Sequence, residues 1–500
     1  MALLLALSSA LAAPPPAGAQ EAPRELSLEE AISTAHANNP GFQITRNDEE
    51  LASQDVRSAL GGLLPTASAS SGMAWQGAGE QRFGTLTAEQ LGFRNQPSYY
   101  SSSYSLGMSY TLSGSTLLAP RQARAAREAT EARIETGGAN LALQITQTYL
   151  EVLRQDEALN VVRRELERAE YNLRLAEGQL EVGSATPLDV KQAEVAVGRA
   201  RVTVLRTENA GRTARIRLLV GMGLDPDPDV RLTTRFEVTE PLWTEEELVA
   251  LALERNPALD ALRASLRAND VAVRAARSRF LPSLSLSAGI GGFTQRASST
   301  GFLIAQAEGQ SEAQIQQCQF QNDLYSRLAD PLPPMNCGLL QLSDADRQGI
   351  SDRNSYFPFD FTGQPPQLSL TVSLPLFSGF SRSRQLQSAR VEQENVRHRV
   401  REQELGLRAE ISAGLSAVRT AWRTAEIEEQ NSAVADDQLR LAREQYAVGS
   451  ASFLQLVEAE TLKAQADRDR IGSVHTYHET LADLEAVVGV ALRSSRDGSR

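Results

Sequence analysis

LSLEEAISTAHANNP, at residues 26–40, and LWTEEELVALALERNP, at residues 242–257, are two versions of one short motif. Their Asn-Pro pairs lie 217 residues apart, and the later pairs Leu64-Pro65 and Leu281-Pro282 keep the same spacing. Self-similarity at a fixed offset is the signature of a tandem duplication. The chain is therefore read as two repeats, and every further element is sought twice.

A second pair of motifs locates an insertion. VGSATPLDVKQAE, at residues 182–194, matches VGSASFLQLVEAE, at residues 448–460, at an offset of 266. The offset has grown by 49 residues, and most of the extra length lies between Gln295 and Pro366.

Each repeat reads as short helix, medium helix, strand, loop, strand, very long helix, tight turn and long helix. The predicted bounds are a signal peptide at 1–19; a first repeat at 20–241 with strands at about 66–75 and 104–113 and long helices at about 120–180 and 187–221; a second repeat at 242–492 with strands at about 283–292 and 367–376, an outer-loop insertion at 295–366 and long helices at about 381–446 and 453–491; and a tail at 493–500.

The N-terminal segment and the composition narrow the class of protein. An apolar run from Ala2 to Ala13 and the A-x-A site Ala17-Gly18-Ala19 predict a secretory signal. Beyond it no stretch of about eighteen apolar residues occurs, so any membrane crossing would be made by strands. The net charge of −12 leaves no basic surplus for phosphate backbones, which argues against a nucleic-acid partner.

Motifs of catalysis and metal binding are lacking. No Gly-rich phosphate loop, G-x-S-x-G elbow or H-E-x-x-H occurs, so we expect neither an enzyme nor a cofactor. His475 and His478 have a spacing that could hold a metal, but without a third ligand we predict an ordinary surface pair and no metal site.

The strand segments alternate with period two. Serine, glycine and threonine alternate with the larger side chains of Tyr104, Leu106, Met108, Tyr110 and Leu112. Residues 283–292 and 367–376 repeat the pattern. A soluble β-sandwich alternates in the same way, so the strands alone leave the membrane interpretation open.

The helices favour the membrane interpretation. Residues 159–180 carry a heptad seam of leucine, valine and alanine, and some sixty residues would make a rod of roughly 90 Å. A soluble antiparallel coiled coil explains the seam but not strand pairs placed between coils. Four strands per chain cannot close in lipid, whereas three chains would give twelve strands around a lumen.

The sequence predicts the capping residues of the turns between the long helices. Gly183 is a predicted helix C-cap, followed by Thr186 as N-cap, Pro187 as first helical residue and Asp189 as capping carboxylate. In the second repeat Gly449, Ser452 and Gln455 take the same positions.

With these motifs, and with SLPLFSGFSRSRQ at residues 373–385, the chain resembles the TolC-type outer-membrane efflux proteins over nearly its whole mature length. The resemblance implies a mainly α fold with a β-barrel portion: four strands per chain in a homotrimeric twelve-strand outer-membrane barrel, continued by a long periplasmic α-helical tunnel. It also implies a periplasmic adaptor protein and an inner-membrane pump, which would dock at the tips. The tip residues are Gly183, Ser184, Ala185, Thr186, Gly449, Ser450, Ala451 and Ser452.

The resemblance also suggests a periplasmic gate and a pore constriction. Several members close the tip with an aspartate, a tyrosine and an arginine; Asp189 and Tyr446 match, whereas Ala451 replaces the arginine, and Arg443 is a candidate substitute. Helix capping is the alternative role of Asp189. The acidic constriction falls at Gln455 and Glu458, of which only Glu458 is charged. Glu458 repeated by three-fold symmetry would form a cation-selective ring, and a solvated helix face is the alternative.

Cys318 and Cys337 lie in the insertion, and in an exported protein we expect them to form a disulfide. The leading hypothesis is an outer-membrane channel subunit of a tripartite efflux or type I secretion system, which passively conducts cargo from the periplasmic tunnel mouth to the exterior. Small-molecule efflux is favoured; a polypeptide secretion duct and a soluble periplasmic coiled-coil scaffold are the alternatives.

Overall fold

The computed structural model describes residues 24–79, 82–83, 86–87, 96–226, 230–328, 330 and 332–493. The predicted signal peptide and residues 494–500 of the predicted tail lie outside the described residues. The described residues fall into two compact units. One unit takes those within Met1–Val56, Arg121–Val273 and Gln387–Arg500, and the other those within Arg57–Pro120 and Arg274–Leu386.

The first half of the chain contains four helices among its described residues. Its elements are β1 (Arg24–Leu26), α1 (Leu28–Asn38), α2 (Pro40–Gly61), β2 (Thr66–Gln76), β3 (Arg82–Phe83), β4 (Leu86–Thr87), β5 (Tyr99–Leu112), α3 (Gly114–Glu181) and α4 (Pro187–Gly221).

The second half follows the same order with helices inserted between its two long strands. Its elements are β6 (Val230–Leu232), α5 (Glu245–Arg255), α6 (Pro257–Ser278), β7 (Ser283–Ala297), α7 (Thr300–Ser326), a 3₁₀ turn (Cys337–Leu340), α8 (Asp344–Asn354), β8 (Thr362–Ser373), α9 (Ser381–Ala447) and α10 (Phe453–Val488). Counterparts have nearly equal lengths: α2 and α6 have 22 residues each, and α3 and α9 have 68 and 67.

The asparagine of each Asn-Pro motif forms an elbow between two helices. The Asn39 side chain accepts a hydrogen bond from the Phe42 amide at 2.9 Å and donates one to the Gly221 carbonyl, the end of α4, at 2.8 Å. Asn256 likewise accepts from Leu259 and donates to Val487, both at 2.9 Å. Each amide therefore satisfies one free group at a helix start and one at a helix end.

A glycine closes each elbow. Gly223 and Gly489, just beyond the ends of α4 and α10, have φ of +76° and +82°. A Cβ at Gly223 would lie 2.3 Å from the Asn38 carbonyl oxygen, and one at Gly489 would lie 2.5 Å from that of Arg255. Both positions therefore require glycine, for conformation and for space.

The second unit contains an antiparallel sheet in the order β2-β5-β7-β8. In the register of the four strands, Ala67, Met108, Ala288 and Leu368 lie side by side, and so do Ser68 and Gly107 on the opposite face. The register shifts between Gly289 and Gly291, opposite Pro365 and Pro366 on the edge strand β8. Proline cannot donate a ladder hydrogen bond, so the pair is tolerated at an edge.

Three of the four long strands differ from their predicted bounds by five residues at one end. The strand predicted at 283–292 continues to Ala297, where it still pairs with β5. The strand predicted at 104–113 begins five residues earlier, at Tyr99, because the run Ser101–Ser103 obscured the alternation although it pairs fully with β2. The strand predicted at 367–376 lies at Thr362–Ser373 and ends before Pro375, which lacks the amide that a continued ladder requires.

The predicted outer-loop insertion is largely helical. Helices α7 and α8 occupy much of it, and Asn354 at the end of α8 hydrogen-bonds both backbone groups of Ala297 at the end of β7, at 2.7 and 3.0 Å. A Cys318–Cys337 disulfide joins α7 to the 3₁₀ turn. The insertion lies between β7 and β8, and its helices were not predicted because polar, glutamine-rich helices carry no apolar periodicity.

The predicted surface histidine pair is also wrong. His478 on α10 is 5% exposed and packs against Phe236, with ring centroids 5.3 Å apart. Burial, followed by the charges of Arg493 and His475, lowers the pKa of His478 to about 4. His475 lies 3.6 Å from Glu479 and 3.9 Å from Glu151, and its pKa is lowered chiefly by burial.

Among the described helices, none combines the length and the apolar character needed to cross a bilayer.

The elbow glycine provides a sharp test of this packing. We expect Gly489→Ala to lower the thermal midpoint of the detergent-extracted protein by several degrees, because the new Cβ collides with the Arg255 carbonyl in a left-handed conformation. Gly472→Ala is the matched control: it lies inside α10 with open space around it, so alanine should be neutral or stabilising. Thermal unfolding is measured by circular dichroism at 222 nm. Equal thermal midpoints for the two variants would contradict the requirement for glycine at this elbow.

Candidate functional site at the hairpin turns

The two turns that join the long helices have the same backbone structure. Gly183 and Gly449 are left-handed, with φ of +80° and +76°. In the first turn the Ser184 amide donates to Gln179 at 2.8 Å, and in the second the Ser450 amide donates to Gln445 at 2.8 Å. These bonds close each long helix in a Schellman-type cap.

The next helices begin with capping boxes. The Thr186 backbone and hydroxyl both donate to the Asp189 carboxylate at 2.8 Å, and Thr186 Oγ1 accepts from the Asp189 amide at 3.3 Å. Ser452 and Gln455 repeat the arrangement, with the Ser452 amide donating to Gln455 Oε1 at 2.8 Å. Asp189 and Gln455 thus act as caps.

Apolar residues from four helices pack the two hairpins against each other. The buried members of this cluster, called the tip core here, are Ala176 on α3, Val190 and Ala193 on α4, Leu439 and Tyr446 on α9, and Phe453, Leu456 and Ala459 on α10. Tyr446 is 6% exposed and lies near Phe453, with ring centroids 5.8 Å apart. The tip core therefore joins the first hairpin to the second.

The Tyr446 hydroxyl is buried without a hydrogen-bond partner among the described residues. Burial, and secondarily the charge of Asp189, raises the pKa of this phenol. No hydrogen bond joins the Tyr446 hydroxyl to Asp189 among the described residues. A buried hydroxyl without a partner costs about 1–3 kcal/mol, so this packing is not fully optimised.

Arg443 does not replace the missing arginine as a partner of Asp189. Its Nη2 lies 3.3 Å from Glu460 Oε1, and the same oxygen accepts from Asn172 Nδ2 on α3 at 2.6 Å. Asn172 is 3% exposed. These three residues form a polar link between the first and second hairpins, in which Arg443 was a predicted gate residue and Asn172 and Glu460 were not.

Two orphan atoms accompany the polar link. Asn172 Oδ1 and Arg443 Nε are buried and have no partner among the described residues. Asn172 could have been singled out from the sequence, because it lies beside the seam residue Leu173 and polar residues in coiled-coil seams usually specify pairing. Nothing local distinguishes Glu460 from the other acidic residues of α10.

The predicted constriction residues lie on the exposed side of α10. Glu458 and Gln455 are both exposed, one helical turn apart, whereas Leu456 and Ala459 point into the tip core. Glu458 makes no hydrogen bond or ion pair within the described part of the chain. Its carboxylate is free for solvent or ions.

A buried ion pair lies further along α10. Lys463 Nζ is 2.7 Å from Asp467. The Ser432 hydroxyl on α9 donates to Asp467 at 2.8 Å, and Lys463 donates to the carbonyl and the hydroxyl of Ser432 at 3.1 Å. Burial alone would raise the pKa of Asp467, but hydrogen bonds from Lys463 and Ser432 hold it below its usual range. At spacing i, i+4 the pair resembles an ordinary surface salt bridge, so its burial could not be predicted from the sequence.

No cluster of three or more metal-ligating side chains occurs in the described ranges. The hairpin turns, the tip core and the polar link are elements of packing between the four long helices.

Tyr446 tests whether the tip core couples the hairpins. We expect Tyr446→Ala to accelerate backbone hydrogen exchange in both turns, at residues 182–190 and 446–456, because truncating a buried aromatic costs about 3–5 kcal/mol. Tyr446→Phe is the control, and it should leave exchange unchanged or slower, since it removes only the unpaired hydroxyl. Faster exchange confined to residues 446–456 would mean that Tyr446 supports its own hairpin alone.

Comparison with known proteins agrees with this architecture. The sequence profile of the family described as outer membrane efflux protein matches residues 31–224 and 340–490, more than half of the chain. The Campylobacter jejuni CmeC outer membrane channel superposes with a TM-score of 0.67 over 94% of this chain and 87% of that one, at 15% identity. The outer-membrane channel OprN gives 0.66 over 92% and 89%, also at 15% identity. At such identities the likeness concerns the fold.

Two relatives match by sequence. The pyoverdine export outer membrane protein OpmQ of Pseudomonas aeruginosa is 31% identical over 157 residues, 31% of this chain and 33% of that protein. The fusaric acid resistance protein FusA of Burkholderia cepacia is 28% identical over 207 residues, 41% of this chain and 39% of that protein. The matched stretches thus span between a third and two fifths of each relative. Taken with the matched family profile, they lead to one conclusion: the chain belongs to the outer membrane efflux protein family.

Proposed function

We propose that this protein is the outer-membrane channel subunit of a tripartite efflux system, and that it conducts small molecules passively from the periplasm to the exterior. The observation that carries the proposal is the sheet of the second unit, which has one face of hydroxyl groups and one of apolar side chains. A sheet of this kind suits a wall between water and lipid.

The hydroxyl face is continuous across all four strands. Its members are Thr66, Ser68 and Ser70 on β2; Ser103, Ser105, Ser109 and Thr111 on β5; Ser283, Ser285 and Ser287 on β7; and Ser369, Thr371 and Ser373 on β8. Hydroxyls bond across the strands, Ser70 to Ser105 and Ser287 to Ser369, both at 2.7 Å. This face would line water.

The other face is apolar and exposed. It carries Ala67, Ala69, Met73 and Trp75 on β2; Leu106, Met108 and Tyr110 on β5; Leu284, Leu286 and Ile290 on β7; and Leu368, Leu370 and Val372 on β8. Trp75 is 65% exposed and Leu368 is 75% exposed. In water such a surface would be a strong liability for aggregation, whereas in lipid it is the required one.

The edges of the sheet suggest the oligomer. β2 and β8 each have one unpaired side within the four-stranded order. In lipid an unpaired strand edge costs several kcal/mol for each backbone group, so the edges must pair with other copies. We infer a homotrimer with a twelve-strand barrel, continued by a periplasmic tunnel built from the long helices.

The hairpin turns would be the periplasmic gate. The tip core and the polar link Asn172–Glu460–Arg443 hold the two hairpins together, and unpartnered buried atoms at Tyr446 and Asn172 lower the cost of separating them. Opening would give those atoms access to water. The gate in this chain thus would be latched through Glu460, with Asp189 acting as a cap.

The exposed turns suit a docking partner. Val182 and Val448 are both 79% exposed, and Leu188 and Leu454 are 63% and 64% exposed, at equivalent positions of the two hairpins. Four exposed apolar side chains at matched places favour docking of a periplasmic adaptor, which would connect the channel to an inner-membrane pump.

The names of the two sequence relatives favour small organic cargo. One is described by pyoverdine export and the other by fusaric acid resistance. We therefore favour small-molecule efflux over a polypeptide duct.

Complementation tests the function. In an efflux-deficient strain that supplies the cognate adaptor and pump, expression of this chain should restore export of a fluorescent dye and raise resistance to small toxic compounds several-fold. A variant with Leu188 and Leu454 changed to aspartate should reach the membrane without restoring export. Failure of the unaltered chain to restore export, when it is present in the outer membrane with its partners, would refute the proposal.

Glu458 tests the constriction. We expect Glu458→Gln to lower the cation-to-anion permeability ratio several-fold in planar bilayers and to weaken block by divalent cations, because three copies would lose three charges at one level of the pore. Glu240→Gln, an exposed acidic residue in the segment between β6 and α5, is the control and should keep the original ratio. An unchanged ratio in Glu458→Gln would leave this carboxylate as a solvated helix face.

A further inference from the structure

The end of the sheet at which the helices join it carries a second kind of surface. All four long strands meet helices at this end: β2 follows α2, β5 precedes α3, β7 follows α6 and β8 precedes α9. The connection between β8 and α9 exposes three large apolar side chains, with Leu376 89% exposed and Phe377 and Phe380 each 74% exposed. Phe280 and Leu281, before β7, are 40% and 57% exposed.

Phe380 is held outward by a strained turn. Its φ is +62°, and it is the one non-glycine residue with a left-handed backbone in the described ranges. This conformation is disfavoured for a residue with a Cβ. Its ring lies beside Phe377, with centroids 5.5 Å apart, and Phe380 remains 74% exposed, so burial within the chain does not offset this strain.

Arginines lie directly against this apolar surface. The Arg382 guanidinium lies over the Phe280 ring, 5.4 Å from the centroid, and its Nε donates to Ser378 Oγ at 3.0 Å. Arg279 donates to Gln385, which joins the segment before β7 to the start of α9. Arg384 is exposed. The contacts bring both strand–helix connections of the second half into one surface.

No carboxylate interrupts these segments. The sequence has no Asp or Glu between Asp270 and Glu308 or between Asp360 and Glu392, although the whole chain has a net charge of −12. The arginines at this end therefore form a local cationic zone on an acidic protein, and Arg279 and Arg382 bond only neutral partners among the described residues.

We propose that this surface binds the headgroups of anionic phospholipids. The phosphodiester would lie against Arg382 and Arg279, and Phe377, Phe380 and Leu376 would insert among the acyl chains. The inference rests on the proposed function, since it requires the apolar face of the sheet to meet lipid, and it adds a preference among lipids.

The chemistry favours a phospholipid over other anions. Leu374 continues the apolar face of β8 beyond Val372, so the exposed phenylalanines extend the surface proposed to contact lipid. A free phosphate would use the arginines and leave those rings in water. An amphiphile with a negative headgroup matches both halves of the surface, because arginine binds phosphate oxygens well and aromatic rings favour the membrane interface.

Lipid retention tests the proposal. The protein in mild detergent is mixed with equal amounts of phosphatidylglycerol and phosphatidylcholine, and the retained lipids are counted by native mass spectrometry. We expect several-fold preferential retention of phosphatidylglycerol, lost in Arg279→Gln/Arg382→Gln and kept in Arg408→Gln, an exposed arginine further along α9. Phe377→Ala/Phe380→Ala should reduce retention of both lipids.

Three outcomes would overturn the proposal: equal retention of the two lipids, an unchanged preference in Arg279→Gln/Arg382→Gln, or displacement of phosphatidylglycerol by inorganic phosphate at the same concentration. Conductance measured in planar bilayers of neutral lipid distinguishes failure of the lipid-binding proposal from failure of the proposed channel function. If the protein conducts in these bilayers but shows no lipid preference, the channel function stands and the lipid-binding proposal is refuted. If it neither inserts nor conducts, the proposed function itself is refuted.

Discussion

The helical unit depends on one repeated interaction, the hydrogen-bonded asparagine of each Asn-Pro elbow. Asn39 and Asn256 each satisfy an amide at the start of one helix and a carbonyl at the end of another. A left-handed glycine closes on the same elbow, so the first and last helices of each half are fixed together. Around the two elbows lie separate apolar cores, one containing Tyr149 and Leu218 and the other Ile411 and Tyr477.

The second unit obeys a different constraint, that of a sheet with two unlike faces and two open edges. Hydroxyl and apolar side chains alternate along most of its four strands, with Ser71 and Ser102 as exceptions on the apolar face, and this alternation is typical of a lipid-facing wall. The open edges make a single copy incomplete in lipid. In the proposed channel, oligomerisation therefore follows from backbone hydrogen bonding, and the lumen follows from the number of strands.

Much of this architecture could be predicted from the sequence, because local patterns of apolar and polar residues determine it. Helix starts at Thr186 and Ser452 follow from capping residues, and the strands follow from alternation of apolar and hydroxyl side chains. The helices of the insertion carry no such pattern. The bond between Asn172 and Glu460 joins residues 288 positions apart, and the burial of His478 depends on Phe236, so neither is visible in a local motif.

The central claim is that several copies complete one closed channel, and the mass of the protein extracted in mild detergent from an outer-membrane fraction tests it most directly. Light scattering corrected for bound detergent should give three copies in one particle. A monomer or dimer recovered in aqueous extracts without detergent would contradict the account, because the apolar face and both edges of the sheet would then have to be stable in water.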